Sequence, residues 1–273
     1  MDSNSITFLQ AKIIQKFSQM DFYKALTIEQ KGFLKKQIYQ KLELGYPVDY
    51  ILGEVEVLGL KLIVKEGIFL PREETEWWLG EIIQAKTKQR SVFPRNLNKL
   101  IYDSDFVLDV AAGSGVVGLS LAKYFQSVLA VEKNLEAFKI SQKNAQLNQI
   151  RNYQIFRSNL LASKLLNTRL ESWKSWILCT NLPYVPQIDY KERAVNMVKF
   201  EPKMAIYSGW DGLALFRVLI KQIGKLKNPP KAIFLELDPR NIVKAAKIGQ
   251  SLYRHAQIWK DPYGRDRLLA LWI

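Results

Sequence analysis

Apolar residues in the first 45 positions recur every three or four residues, which is the spacing of one face of a helix. The clearest stripe consists of Ile6, Leu9, Ile13, Phe17 and Met20. The sequence TIEQ, residues 27–30, has the form of a capping box, and it predicts a second helix that runs to Gly45, with Pro47 just beyond. The N-terminal segment is therefore predicted to be helical.

The pattern changes between residues 46 and 70, where β-branched residues and glycines are frequent. This composition predicts a short hairpin that links two domains. Helical spacing returns over residues 74–87, and a polar stretch with Pro94 and several asparagines follows.

From about residue 105, apolar strands alternate with helical segments, which predicts a doubly wound, mostly parallel sheet. The predicted strands are FVLDV, SVLAVEKN, residues 155–156, WILCTN, KAIFLELD, HAQIWKD and RLLALWI. The predicted helices cover 116–125, a segment that ends at Asn148, a segment that begins near Gly212, and about 239–252. The last two strands flank PYGRD, and this closing hairpin is expected to add an antiparallel strand.

Composition narrows the classes of function. The chain has 273 residues, 48% of them hydrophobic, enough for one large core and a smaller attached domain. No apolar run approaches the roughly 18 residues of a membrane helix, so no membrane association is expected. The single cysteine, Cys179, and the single histidine, His255, exclude an internal disulfide framework and a zinc site of the usual kind, and they suit a cytoplasmic protein without a metal.

The net charge of +14 is the unusual global property of the chain. A strongly basic protein favours an anionic partner such as nucleic acid, a ribosome or an acidic protein. The lysines are scattered along the chain, however, as they would be on a basic surface that only confers solubility. Charge alone does not choose between these interpretations.

The sequence DVAAGSG, residues 109–115, lies between a predicted strand and a predicted helix. Small residues there let the backbone approach a ligand, and Asp109 is expected to bond backbone amides of the turn. Glu132 follows Gly115 by seventeen residues, at the end of the next strand, where a carboxylate can accept hydrogen bonds from both ribose hydroxyls. This favours a nucleoside-type cofactor over glycines that serve only packing. Gly118 stands where a dinucleotide motif has its third glycine, so the spacing leaves a nicotinamide cofactor open.

Asn181 ends the strand WILCTN and begins the sequence NLPY. Its side-chain oxygen and a neighbouring backbone carbonyl can accept both N–H groups of an incoming –NH2, while Pro183 and Tyr184 supply stiffness and an apolar wall. Such a site suits alkylation of a planar amino or amide nitrogen, because held N–H bonds help the nitrogen pyramidalise toward an electrophilic methyl. The alternative is an ordinary Asn-Pro turn. The glycine turn and Glu132 favour the first interpretation.

With these motifs the chain resembles the S-adenosylmethionine-dependent methyltransferases that modify glutamine in peptide chain release factors. The further matching segments are YILGE at 50–54, LPREETEWW at 70–78, FEPKMAIYSGWDGLALFRVLI at 200–220 and GRDR at 264–267. The resemblance implies a class I, Rossmann-like methyltransferase fold with a mostly parallel seven-stranded sheet. It also implies three parts: an N-terminal helical substrate-recognition domain (1–45), a β-hairpin linker (46–70) and a catalytic domain (71–273).

The resemblance also implies roles for individual residues. The cofactor S-adenosylmethionine would contact Ala111, Ala112, Gly113, Ser114, Gly115, Glu132, Asn159, Leu160 and Asn181. The catalytic residues would be Asn181, Pro183 and Tyr184. The substrate would contact Asn181, Leu182, Pro183, Tyr184, Arg72, Glu74, Thr75 and Glu201. For Arg72, Glu74 and Thr75 an interdomain salt bridge and helix cap remain an equal alternative, and for Glu201 an exposed carboxylate does.

Three positions depart from the family pattern. Leu182 stands where the family has the first of two prolines, and the sequence Asn-Leu-Pro-Tyr is also similar to that of adenine-N6 methyltransferases of ribosomal RNA. Ala111 replaces a glycine, so this position must have a negative φ or carry strain. Asn159 replaces the acid expected near the adenine amino group.

The preferred hypothesis is therefore an enzyme that transfers methyl from S-adenosylmethionine to the N5 amide nitrogen of a release-factor glutamine, acting as a monomer. The alternative is an adenine-N6 methyltransferase acting on RNA or DNA, which keeps a nucleic-acid partner possible but not preferred. A third hypothesis, a non-enzymatic RNA-binding module, requires that the glycine turn bind no cofactor.

Overall fold

The N-terminal part of the chain is helical, as predicted. The computed structural model describes residues 2–189 and 197–273, and its first helices are α1 (Ser3–Ser18), α2 (Asp21–Lys24) and α3 (Ile28–Glu43). The capping box at the start of α3 is confirmed, because Thr27 Oγ1 accepts from the Gln30 amide at 3.2 Å while Gln30 Oε1 accepts from the Thr27 amide at 2.9 Å. The predicted stripe on α1 packs against α2 and α3, with Ile6, Ile13 and Phe17 buried.

The segment from 46 to 70 contains the predicted hairpin but also a short helix. Helix α4 (Val48–Leu52) precedes strands β1 (Glu54–Val57) and β2 (Leu60–Ile63), which pair in antiparallel fashion. The helix begins after Pro47 and ends at Gly53, whose φ is +75°. β-branched residues suggested extended structure here, but the proline and the glycine delimit a short helix instead, of which Tyr50 is buried.

Two helices precede the sheet. Helix α5 (Glu73–Lys86) matches the prediction, whereas α6 (Arg95–Asp103) occupies the polar, asparagine-rich stretch for which no helix was predicted. Its apolar positions Leu97 and Ile101 are four residues apart and fully buried. The packing of these two residues explains the helix. Two apolar positions are too few to give a helical pattern in the sequence, so the helix was not predicted.

The remainder is a seven-stranded α/β sheet, which confirms the predicted fold class. In chain order its elements are β3 (Phe106–Val110), α7 (Val116–Ala122), β4 (Ser127–Glu132), α8 (Leu135–Leu147), β5 (Tyr153–Arg157), α9 (Lys164–Glu171), β6 (Trp176–Thr180), α10 (Ala214–Ile223), β7 (Ala232–Glu236), α11 (Ile242–Gly249), β8 (His255–Lys260) and β9 (Asp266–Trp272). The strand order is β5-β4-β3-β6-β7-β9-β8, and only β9 runs antiparallel to its neighbours, as the closing hairpin required. Helix α9 was not predicted.

The two faces of the sheet bury alternate residues. Val107, Ile177 and neighbouring positions face α5, α6 and α7, while Leu108, Leu178 and neighbouring positions face α9, α10 and α11. Within the described residues no helix is both long and apolar enough to cross a membrane.

The strand register decides where functional side chains lie. β3 pairs in parallel with β4 on one side and β6 on the other, and Val110 is level with both Val131 and Thr180. The residues that follow these three strands therefore meet at one edge of the sheet. In open α/β folds this edge, at the point where the strand order reverses, is where ligands bind.

Two glycines test the packing of this fold. A Cβ on Gly249 would lie 2.2 Å from Leu271 Cδ1, whereas a Cβ on Gly80, inside α5, meets nothing within 4 Å. We expect Gly249→Ala to lower the free energy of unfolding by about 1–3 kcal/mol through overpacking. Gly80→Ala should raise it by about 0.5–1 kcal/mol, because alanine loses less backbone entropy in a helix. Denaturant unfolding of both variants checks the pair, and equal effects would contradict the close contact of α11 with β9.

Candidate active site

A cavity of about 340 Å³ lies at the carboxyl edge of β3, β4 and β6. Its volume falls in the range of small-molecule sites. The predicted site residues that line it are Thr75, Ala111, Ala112, Gly113, Ser114, Glu132, Asn159, Leu160, Asn181, Leu182 and Pro183. Among the described residues the cavity wall does not include Arg72, Glu74, Gly115, Tyr184 or Glu201.

The glycines of the turn have different surroundings. Gly113 has a φ of +58°, and a Cβ there would meet nothing within 4 Å, so its backbone is open to the cavity. Gly115 has a φ of +87°, and its Cβ would lie 2.6 Å from Ser141 Oγ. Gly115 therefore lets the turn pack on α8, while Gly113 leaves space for a ligand.

Gly118 lies inside α7 rather than at the cavity. A Cβ there would lie 2.6 Å from Tyr153 Cε2 and 3.0 Å from Asp109 Oδ2. Gly118 stands where a dinucleotide-binding motif has its third glycine, and close packing against a strand side chain explains why a glycine is there. Asp109 is fully buried and accepts from the Gly118 amide at 2.8 Å, so it bonds the helix after the turn. Burial raises the pKa of Asp109 to about 7.

Ala111 has a φ of +61°. The sequence left two possibilities for this alanine, a negative φ or a strained backbone, and the structure shows the strained backbone. A non-glycine residue in the left-handed region costs roughly 1–2 kcal/mol because its Cβ approaches the following carbonyl.

Glu132 ends β4 with both carboxylate oxygens beside the turn. Oε2 accepts from the Gly113 amide at 2.9 Å and Oε1 accepts from the Asn134 amide at 2.7 Å. Each carboxylate oxygen has a second lone pair, so each can accept one more donor from the cavity. The two backbone bonds fix the orientation of the carboxylate beside the cavity.

The segment after β5 forms another wall. Asn159 is exposed and lines the cavity, and Leu160 is buried with a φ of +52°. The asparagine side chain offers both an acceptor and a donor where a carboxylate would offer only acceptors.

The side-chain amide of Asn181 belongs to a chain of hydrogen bonds. Asn181 Nδ2 donates to Thr75 Oγ1 at 3.1 Å, and Thr75 Oγ1 donates to Glu236 Oε2 at 2.6 Å. One N–H of the amide is thereby bound to α5. The acceptor, Oδ1, remains for a partner in the cavity that Asn181 lines.

The rest of the NLPY segment is rigidly held. The Tyr184 hydroxyl donates to Glu236 Oε1 at 3.0 Å, and the Tyr184 carbonyl accepts from Asn241 Nδ2 at 2.8 Å. A Cβ on Gly212 would lie 2.1 Å from that carbonyl, so only glycine fits there. Leu182 is 1% exposed and packs into the core of the sheet face. Burial, followed by the charge of Glu236, raises the pKa of Tyr184, which therefore stays protonated as a donor.

Arg72 and Glu201 form an ion pair beside the cavity. Arg72 Nη2 lies 2.7 Å from both carboxylate oxygens of Glu201, and Glu201 Oε1 also accepts from the Leu70 amide at 3.2 Å. Glu201 is 6% exposed, which excludes the exposed carboxylate considered from the sequence. Burial raises the pKa of Glu201, opposed by Arg72. The pair joins the segment before α5 to the segment that carries Pro202, a residue of the cavity wall.

Glu74 forms a salt bridge, but within the predicted catalytic domain rather than between domains, and Arg72 at the N-cap of α5 makes no capping hydrogen bond. Glu74 accepts from Arg265 Nη2 at 2.6 Å, which ties the start of α5 to the hairpin between β8 and β9. The hairpin motif GRDR thus helps to hold α5 in place.

Several residues of the site were not predicted. Gly67, Ile68 and Phe69 of the linker, and Met204 and Ser208 beyond β6, line the cavity. Asn144 of α8 is fully buried and donates to the Ser114 carbonyl at 2.8 Å, which anchors the turn. The clearest missed signal is Glu236, a carboxylate between apolar residues in the strand KAIFLELD.

These residues fit a nucleoside-type cofactor. Glu132 retains free lone pairs at the cavity, Gly113 leaves room for backbone approach, and Ile68, Phe69 and Leu160 provide apolar walls. Among the described residues no cluster of ligands could hold a metal ion.

Comparison with known proteins gives a consistent picture. Residues 91–172 match the family model of the methyltransferase small domain. A release factor glutamine methyltransferase of Deinococcus radiodurans is 30% identical over 225 residues, which is 82% of this chain and 73% of that protein. One of Streptococcus pneumoniae is 29% identical over 99% of this chain and 91% of that protein.

A solved structure shows the same fold. The Thermus thermophilus 16S rRNA N2 G1207 methyltransferase, in complex with AdoMet and guanosine, superposes with a TM-score of 0.52. It is 18% identical, and the match covers 80% of this chain and 49% of that one.

The strained turn can be tested by two adjacent substitutions. Ala111→Gly should raise the free energy of unfolding by up to about 1 kcal/mol, because the relief of strain exceeds the entropy that glycine adds to the unfolded chain. Ala112→Gly should lower it by about 1 kcal/mol, since Ala112 is buried and its φ is not positive. Thermal unfolding of the two variants measures this, and a loss of stability in Ala111→Gly would argue against strain at this position.

Proposed function

The chain belongs to the family of release factor glutamine methyltransferases, and on this basis we propose that it methylates the side-chain amide nitrogen, N5, of a glutamine in a peptide chain release factor. The protein is an S-adenosylmethionine-dependent methyltransferase. The residues proposed to hold the methyl donor are the turn from Ala111 to Gly115, together with Glu132, Asn159 and Leu160.

One observation carries the proposal for the substrate group. One N–H of the Asn181 amide is engaged by Thr75, which leaves the acceptor Oδ1 for a partner in the cavity that Asn181 lines. An acceptor at the carboxyl edge of β6 matches an N–H of a primary amide. A backbone carbonyl of the same segment would take the second N–H, and the two together would hold the plane of the substrate amide.

The reaction places a strict demand on this geometry. S-adenosylmethionine supplies an electrophilic methyl group on a sulfonium sulfur. As the amide nitrogen bonded to the methyl carbon, the sulfur–methyl bond would break, S-adenosylhomocysteine would be the leaving group, and the nitrogen would lose one N–H proton to water. Because the nitrogen lone pair is delocalised into the carbonyl, acceptors on its N–H bonds help it pyramidalise, and a fixed orientation supplies much of the rate. Pro183 and Tyr184 keep that orientation rigid.

Methyltransferases of glutamine and of adenine both have a segment similar to Asn-Leu-Pro-Tyr. Residues outside this segment favour glutamine as the substrate. The linker, Glu201 with Pro202, and the hairpin 264–267 are all parts of the resemblance, and each contacts the surroundings of the cavity. Leu182 and the charge of +14 favour the adenine-N6 alternative. The structure gives Leu182 a packing role in the core.

The N-terminal helices are proposed to contact the body of the release factor. Phe8, Phe22 and Phe33 are more than half exposed on α1 to α3, at 61%, 51% and 63%. Exposed aromatic residues of this kind are typical of protein contact surfaces.

The substrate is tested by direct comparison. Purified protein should methylate a release factor in the presence of S-adenosylmethionine, with mass spectrometry placing the methyl group on a glutamine. Bare RNA and adenine-containing DNA should stay unmethylated under the same conditions. Methylation of adenine without methylation of glutamine would replace the proposal by the adenine alternative.

Asn181→Ala tests the acceptor. We expect kcat to fall on the order of 100-fold or more, which is typical for loss of one preorganised polar contact, while S-adenosylmethionine affinity changes little. Asn228→Ala is the matched control, because its Nδ2 donates to the Glu171 carbonyl at 2.9 Å away from the cavity. Unchanged kcat in Asn181→Ala, measured by steady-state methyl transfer, would remove Asn181 from the reaction.

Glu132→Ala tests the cofactor site. Loss of a buried acceptor costs roughly 1–3 kcal/mol, so the dissociation constant of S-adenosylmethionine should rise roughly 5- to 150-fold by calorimetry. Glu136→Ala, an exposed carboxylate that pairs with Lys65, should leave it unchanged. A folded Glu132→Ala variant with wild-type affinity would show that Glu132 does not bind the ribose.

A further inference from the structure

Glu236 is a buried carboxylate to which neither the sequence nor the family resemblance assigned a role. It ends β7, is 1% exposed, and lies behind the cavity wall rather than in it. It accepts three hydrogen bonds, from Thr75 Oγ1 at 2.6 Å, Trp78 Nε1 at 3.1 Å and the Tyr184 hydroxyl at 3.0 Å.

The direction of these bonds is determined by chemistry. The Trp78 indole can only donate, so Glu236 Oε2 must be an acceptor. Thr75 shares that oxygen, and an ionised carboxylate only accepts, so the Thr75 proton points at Glu236 and the Thr75 lone pairs are left for another donor. Asn181 Nδ2 is that donor. Each bond therefore fixes the next, from the carboxylate to the substrate amide site.

A buried carboxylate is costly to keep for packing alone. Burial raises the pKa of Glu236, and the charge is offset by its three donors and by Arg267. An apolar residue would fill the same space without that cost. The arrangement is thus explained by what the carboxylate orients.

We propose that Glu236 is a positioning residue that acts through Thr75 to fix the Asn181 side-chain amide with Oδ1 toward the substrate nitrogen. A flipped amide would present Nδ2 to the substrate N–H, donor against donor, and would leave Thr75 Oγ1 facing Asn181 Oδ1. Through Tyr184 the same carboxylate also holds the far end of the NLPY segment. This inference rests on the proposed role of Asn181 and deepens it.

The first test removes the hydroxyl of Thr75. Thr75→Val keeps the shape but breaks the link, and we expect kcat to fall roughly 10- to 100-fold while the dissociation constant of S-adenosylmethionine stays within about twofold. Thr75→Ser retains the hydroxyl and should recover most of the loss. Thr87→Val is the control and should leave kcat unchanged, because Thr87 follows the end of the same helix and its Oγ1 donates to the Ile83 carbonyl at 2.8 Å, away from the cavity.

The second test uses the carboxylate itself, which does not contact the cavity. In Glu236→Gln the new amide can keep its oxygen toward Thr75 and Trp78 and turn its –NH2 to the Tyr184 hydroxyl, which can accept. Glu236→Met offers no comparable acceptor. We therefore expect Glu236→Gln to retain clearly more kcat than Glu236→Met, with thermal unfolding showing that each variant is folded.

The third test is a double-mutant cycle. If Thr75 acts through Asn181, Thr75→Val should cost little further kcat in an Asn181→Ala background. Full additivity of the two losses would overturn the proposal. So would a Thr75→Val variant that matches Thr75→Ser in kcat, or one whose loss lies entirely in S-adenosylmethionine affinity.

Failure of the proposed function has a different signature. If the wild type methylates adenine and no glutamine, the release-factor proposal fails. The same variants assayed on adenine still decide the role of Glu236, because an adenine amino group would need the same acceptor. If the wild type methylates glutamine and the variants behave additively, the release-factor proposal stands and only the role of Glu236 is lost.

Discussion

The site depends on one constraint: the parallel strands β3, β4 and β6 are in register and end at the same edge of the sheet. Because β3 is central and in register with both β4 and β6, the residues after Val110, Val131 and Thr180 converge without any long loop to bring them together. Hydrogen bonds of the ladder hold these ends in place. The glycine turn, Glu132 and Asn181 are thus positioned by the most buried part of the sheet.

Three buried carboxylates hold neighbouring elements in position around the site that the strands form. Asp109 holds the helix after the turn, Glu236 holds Thr75 and Tyr184, and Glu201 holds Arg72. In each case burial raises the pKa of the carboxyl group, and hydrogen-bond donors from another element compensate. The polar groups therefore make the relative position of separate elements specific, where apolar packing alone would tolerate small shifts.

The sequence predicted the parts of the site that are local. A turn between strand and helix, an acid after the next strand and an asparagine at a strand end are each recognisable within a few residues, and the strand alternation predicted the sheet. Contacts between distant segments were not predictable: nothing near Thr75 in the sequence indicates Glu236, 161 positions away. The sequence likewise left the φ of Ala111 open and contained no sign of α6, because tertiary packing decides both.

Helix α5 has a consequence for how the protein can be divided. The matched methyltransferase segment begins at residue 91, after α5 has ended, yet α5 carries Thr75 and is joined to the hairpin by Glu74. Gly113, Glu132 and Asn159 of the cavity wall lie within that segment, whereas Thr75 and Arg265, which bond Asn181 and Glu74, lie outside it. A fragment limited to the matched segment would therefore lack both Asn181 and the threonine that orients its amide.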